Sequence, residues 1–110
     1  MNAPTYHGFM RVNIMLDFEV HGLADEAQTK SVLRGLVELI RAEGLQEHEV
    51  GLGWSVEGGR HWISGETDYP IGISRFHTWR PHFEAAFRER IQALAPAATA
   101  AINWRYPDDD

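Results

Sequence analysis

Residues Arg11 to Val20 read RVNIMLDFEV, with Val12, Ile14, Leu16, Phe18 and Val20 alternating against Arg11, Asn13, Met15, Asp17 and Glu19. A side-chain period of two marks a strand with one buried face. Its unbroken length places it near the middle of a sheet, so the elements downstream read as ones that cover its apolar face or pair beside it. His21 and Gly22 are expected to end it.

From about Ala24 the period changes. Val32, Leu33, Leu36, Val37, Leu39 and Ile40 form an apolar stripe at helical spacing, with Asp25 and Glu26 suited to the helix start, Arg41 to its last turn and Gly44 to the position just past its end. Val50, Leu52, Trp54 and Val56 then alternate with Gly51, Gly53, Ser55 and Glu57, and the strand runs into Gly58-Gly59. Two glycines satisfy the positive φ that both central residues of a type I′ hairpin turn require. A third strand is expected from Arg60 to about Thr67. The two-residue turn sets Glu57 opposite Arg60, Val56 opposite His61, Ser55 opposite Trp62, Trp54 opposite Ile63 and Leu52 opposite Gly65. In that register Trp62 falls beside Gly51 and Gly53, with its indole over bare backbone.

Glu66 to Ile73 reads as a loop around Asp68, Tyr69, Pro70 and Gly72, with a short extended piece at Ile71 to Ile73. A second amphipathic helix follows on Phe76, Trp79, Phe83, Ala86, Phe87, Ile91 and Leu94, with Thr78 as its N-cap, Pro81 in its first turn and Pro96 as its stop. Ala100, Ile102, Trp104 and Tyr106 alternate as a last strand. Residues 1–9 read as a flexible lead-in and residues 107–110 as a solvated acidic tail. The order β-α-β-β-α-β is the split βαβ pattern of an α+β, ferredoxin-like sandwich, with two helices on one face of a four-stranded antiparallel sheet.

Composition narrows the function. A chain of 110 residues with 44% apolar and 11% aromatic side chains supports one core, so residues 1–110 are expected to form one domain. There is no cysteine, hence no disulfide, thiolate metal site or cysteine nucleophile, which fits a reducing, cytoplasmic setting. No apolar run is long enough for a membrane span or signal core. The net charge of −6 argues against nucleic-acid binding. Residues 1–73 carry eleven acidic and five basic side chains, whereas residues 74–95 carry four Arg against two Glu.

Three constellations are candidates for chemistry. The run RFHTWRPH puts Arg75, His77, Thr78, Arg80 and His82 at a helix start, where free N–H groups and the dipole favour a small anion. The simpler reading is a cap surrounded by solvated charges. The open sheet face carries Trp62 with Arg60, Glu57 and Glu66 around it and Asp17 and Glu19 on the neighbouring strand. One aromatic among acids does not suit RNA, and two carboxylates two residues apart on a solvated strand lack the pocket that catalysis needs. The six histidines include no pair at i,i+4 and no HExxH, so no metal and no cofactor is expected. His61 is expected inside, held by a hydrogen bond.

The reading that follows is a small, acidic, non-catalytic binding module that acts on a macromolecular partner, as inhibitor, immunity, counter-defence or regulatory proteins do. The partner is expected to be a basic protein, docked on Trp62 as an anchor with a polar rim. A ferredoxin-like enzyme or carrier is the alternative, holding a small anionic or aromatic molecule at the second helix start between walls of Trp54, Tyr69, Trp79 and Trp104. A second alternative is a structural subunit, homodimeric or larger, assembled through its open face or an edge strand.

Overall fold

The computed structural model describes residues 11–109, so the lead-in and Asp110 lie outside the described residues. Strand β1 spans Arg11–Leu23, helix α1 Glu26–Ala42, β2 Gly51–Glu57, β3 Arg60–Glu66, β4 Ile71–Ser74, helix α2 Phe76–Leu94 and β5 Thr99–Arg105. All strand pairs are antiparallel. On one side of β1 run β3 and then β4, in register from Leu23↔His61 down to Arg11↔Ser74. On the other runs β5, from His21↔Thr99 to Met15↔Arg105, and after it a single 3-10 turn at Pro107–Asp109. The lateral order is therefore β2-β3-β1-β5 with β4 prolonging β3, a ferredoxin-like α+β sheet.

The alternation of β1 decides which face is covered. Ile14, Leu16, Phe18 and Val20 are buried in one cluster with Val32, Leu36 and Leu39 of α1 and Phe83, Phe87 and Ile91 of α2. Both helices thus lie on the same side. Phe18 sits directly opposite Gly65, and a Cβ built on that glycine would collide with the Phe18 ring. The ring meets Phe87 edge-on at 5.1 Å, so the bare backbone of β3 is what lets β1 reach α2. The helices approach each other at Gly35, where an added Cβ would come within 2.6 Å of Leu94, and where Arg90 Nη1 donates to the Gly35 carbonyl at 2.9 Å.

Helix α1 is capped as its sequence implies. Asp25 accepts from the Gln28 N–H at 2.8 Å, and beyond the helix Gly44 (φ +86°) donates to Arg41 while Leu45 donates to Ile40, a Schellman closure. The hairpin register is also as expected, at all five pairs, with positive φ at Gly58 and Gly59.

Four features differ from the expectation. His21 and Gly22 do not end β1: the register slips by one residue between Val20↔Ile63 and Leu23↔His61, with Gly22 at φ +82°, so the strand absorbs the glycine as a β-bulge and continues. The loop before β4 is also a jog within a strand. Thr67, 2% exposed, has its Oγ1 3.0 Å from the Leu16 N–H, taking over a ladder bond while residues 68–70 swing outward. Thr78 is not the N-cap of α2. Because β4 passes into α2 through a single residue, Arg75 makes the whole turn in a left-handed conformation (φ +54°) with no side-chain cap, and Pro81 falls in the second turn. Finally, Asp108 is tied to the sheet by the Asn13 side-chain amide at 2.8 Å, so the tail is docked through this residue.

Substitutions at two of the left-handed positions, Arg75 and Gly44, should act with opposite signs. Arg75→Gly relieves a conformation that costs a non-glycine residue about 1–2 kcal/mol, partly offset by the flexibility of glycine in the unfolded chain, and should stabilise by roughly 0.5–1 kcal/mol in urea unfolding. Gly44→Ala, where an added Cβ meets nothing within 4 Å, should destabilise by about 1 kcal/mol through backbone strain alone.

Candidate functional site

The face away from the helices is lined by alternate residues of four strands: Gly51, Gly53, Ser55 and Glu57 of β2; Arg60, Trp62, Ser64 and Glu66 of β3; Met15, Asp17, Glu19 and His21 of β1; Ala101, Asn103 and Arg105 of β5. Its centre is internally satisfied. Asp17 accepts from Asn103 at 3.1 Å and lies 3.6 Å from Arg105 Nη2, while Glu19 meets His21 Nε2 at 2.6 Å. Towards the hairpin the face changes character. The side chains of Glu57 and Arg60 make no hydrogen bond or ion pair among the described residues, and neither does that of Glu66 farther along β3.

Trp62 stands at this end, half-buried. Its ring does not lie over Gly51 and Gly53, where an added Cβ would meet Ser64 or the Glu66 carbonyl instead. It stacks on His21, with ring centroids 5.8 Å apart and planes 20° from parallel. The register of β1 against β3 explains the contact, because continuing it one step past Val20↔Ile63 sets His21 opposite Trp62, just before the bulge at Gly22. Alongside runs an open groove of about 780 Å³ lined by His21, Gly22, Leu23, Glu57, Gly58, Gly59, Arg60, His61 and Trp62. His21 and Gly22 were not among the sequence candidates. The signal was the His-Gly pair after an alternating run, which reads equally as a stop or as a bulge.

The helix-start candidates are dispersed. Arg75, His77 and Thr78 are exposed on the first turn, His77 edge-on to Phe76. Arg80 turns back across the helix, where Nη1 donates to the Tyr106 hydroxyl at 2.5 Å, Nε approaches Glu84 at 3.5 Å, and the guanidinium lies 5.5 Å from the centre of the Trp104 ring. His82 points to the end of α1, 3.1 Å from the Glu43 carboxylate. The expected aromatic walls are also apart. Trp79 and Trp104 pack on each other at 5.8 Å, within a cluster that includes Phe76 and Phe83, whereas Tyr69 is exposed and Trp54 lies on β2 against His61. His61 has the expected hydrogen bond, accepting from Trp54 Nε1 at 3.3 Å, but it is half-buried at the wall of the groove and not inside the core. Among the described residues no helix is long and apolar enough to cross a membrane.

No protein-family model and no curated protein matches the sequence. Among solved structures the chain is similar to a de novo designed protein, Foldit4, with a TM-score of 0.62 and 7% identity over 84% of this chain and 96% of that one. That likeness shows the fold alone. It is also similar to a dimeric ferredoxin-like protein from an uncultured marine organism (TM-score 0.49, 12% identity, 86% of this chain, 94% of that one). A third match is a C-terminal segment of the alpha subunit of aIF2 from Pyrococcus abyssi (TM-score 0.47, 13% identity, 93% of this chain, 55% of that one).

Glu84 links the cluster that Arg80 joins, accepting from Trp104 Nε1 at 2.7 Å. Glu84→Ala should therefore cost about 1–3 kcal/mol in denaturant unfolding, the cost of leaving a partly buried indole N–H unpaired. Glu84→Gln, which keeps an acceptor, should recover most of it.

Proposed function

We propose that the protein is a non-catalytic docking module that binds a basic protein partner through the hairpin end of its open sheet face, in the manner of an inhibitor, immunity, counter-defence or regulatory subunit. The observation that carries this reading is the Trp62–His21 stack at the side of a groove edged by Glu57 and Arg60. An amphipathic aromatic held in place by a neighbour loses little entropy on binding, and such anchors contribute most of the energy of protein interfaces. Glu57 and Glu66 are solvated and their side chains have no partner among the described residues, which leaves them to meet cations, and the net charge of −6 steers a basic surface toward the chain. Nucleic acid is disfavoured by the same charge.

The small-molecule alternative has weaker support, since Arg80 and His82 are occupied by Tyr106 and Glu43. Thermal unfolding against phosphate, sugar phosphates and aromatic acids tests it: a rise in midpoint that disappears in Arg75→Ala/Arg80→Ala would favour the helix start over the sheet face.

For the docking reading, the partner retained by the immobilised protein at low salt is purified and titrated calorimetrically. Trp62→Ala should weaken binding by about 2 kcal/mol or more, roughly thirty-fold, with an unchanged melting midpoint, and added salt should weaken it further. Binding that changes by no more than a few tenths of a kcal/mol would remove Trp62 from the interface.

A further inference from the structure

The two edges of the sheet are treated differently. Along β5, Arg105 stands at one end and Arg88 Nη1 reaches within 3.5 Å of the Ala100 carbonyl oxygen. Strand β2, GLGWSVE, has no lysine, proline or bulge, and Glu57 at its last position is its one charge. Such an edge is a template for another strand unless something blunts it. Glu57↔Arg60 closes the two-residue turn, so Gly51, Gly53, Ser55 and Glu57 direct their backbone groups to β3. Leu52, Trp54 and Val56 therefore direct theirs outward, where no described strand pairs with them.

The same edge carries a knob and a hole. Val56 is 56% exposed, on the side of the sheet that holds the helices. Four residues earlier, Val37 and Ile40 of α1 with Val50, Gly51 and Leu52 line an apolar cavity of about 230 Å³. We propose that a second copy of this chain pairs with β2 antiparallel, about a two-fold axis through Trp54. That axis sets Leu52 opposite the partner's Val56, Gly53 opposite the partner's Ser55 and Gly51 opposite the partner's Glu57. The outward-directed residues then bond to each other, as an antiparallel ladder demands. Each Val56 stands over the other copy's cavity, and the two Trp54 side chains meet at the centre. The charges fit as well: two chains of net charge −6 repel, yet in this register neither Glu57 faces an acid, because each lies against a glycine. A foreign strand would need only the free edge. That the knob and its hole share one strand, in the register the hydrogen bonds allow, is what an isologous pair of identical chains requires. The result is one continuous sheet across two copies, with both Trp62 faces left open. The pairing is therefore independent of the docking reading.

Sedimentation equilibrium from micromolar to millimolar protein tests it, together with amide hydrogen exchange at both ends of the range. The wild type should pass from monomer to dimer and stop there, with slowed exchange at Leu52, Trp54 and Val56 at high concentration. Val56→Lys should remain monomeric with an unchanged melting midpoint in dilute solution. A wild type that is monomeric at millimolar concentration, a mass that grows past the dimer, or a dimer unaffected by Val56→Lys but lost in Trp62→Ala would each overturn the proposal. If Val56→Lys lowers the dilute midpoint, the exchange pattern of the wild type decides: protection confined to β2 supports the pairing, and protection absent from β2 overturns it.

Discussion

The ring of Phe18 lies where a side chain on Gly65 would be, and the rest of the architecture depends on that exchange. Because β3 presents bare backbone at this point, β1 can extend an aromatic ring past it to Phe87 of α2. A buried phenylalanine contributes about 1.5–3 kcal/mol by removal from water. The greater consequence is geometric. From Phe87 the contact passes to Phe83 at 6.3 Å and on to Trp79 at 4.9 Å, and Trp104 meets both Phe83 and Phe76 edge-on. The helix side of the sheet is filled by rings in contact, so the Trp62 groove lies on the uncovered side.

Electrostatics follows the same division. Two members of the basic run at the start of α2 are drawn into structural duty: Arg80 covers Trp104 and holds Tyr106, and His82 meets Glu43, whose carbonyl also accepts from Trp79 Nε1 at 3.3 Å. Side chains with those partners position the C-terminal strand and the end of α1. On the open face Glu57, Arg60 and Glu66 keep no such side-chain partner among the described residues. Trp62 and His21 stand among them at the hairpin end, stiffened by each other.

What was legible in the sequence is what depends on period and on local chemistry. The alternation of Val12 to Val20, the Gly58-Gly59 turn with its register, and the Asp25 and Gly44 ends of α1 are each determined by residues within a few positions of one another. The features that escaped are those in which a distant element decides between two local solutions. His21-Gly22 can stop a strand or bulge it, and pairing with His61 decides for the bulge. Thr67 can begin a loop or replace a ladder bond, and the free N–H of Leu16 decides. Thr78 is a good cap by type, but the one-residue connection from β4 starts the helix earlier, at the cost of a left-handed Arg75. Of the site, Trp62 and its flanking charges could be assigned to the open face by counting alternate residues. Its histidine neighbour could not, since the register of β1 against β3, which sets His21 opposite Trp62, is decided by pairing across the sheet.

A double-mutant cycle on Phe18 and Gly65, followed by urea unfolding, tests most directly whether this one exchange of ring for side chain sets the packing. Gly65→Ala alone overfills the site and Phe18→Leu alone empties part of it, each expected to cost roughly 1–3 kcal/mol. Because the added methyl enters the space the ring vacates, the pair should cost less than the sum of the two by about 1 kcal/mol or more. Additive costs, within a few tenths of a kcal/mol, would mean that the ring and the glycine do not share that space, and the account of how this sheet acquired one filled face and one open face would fail.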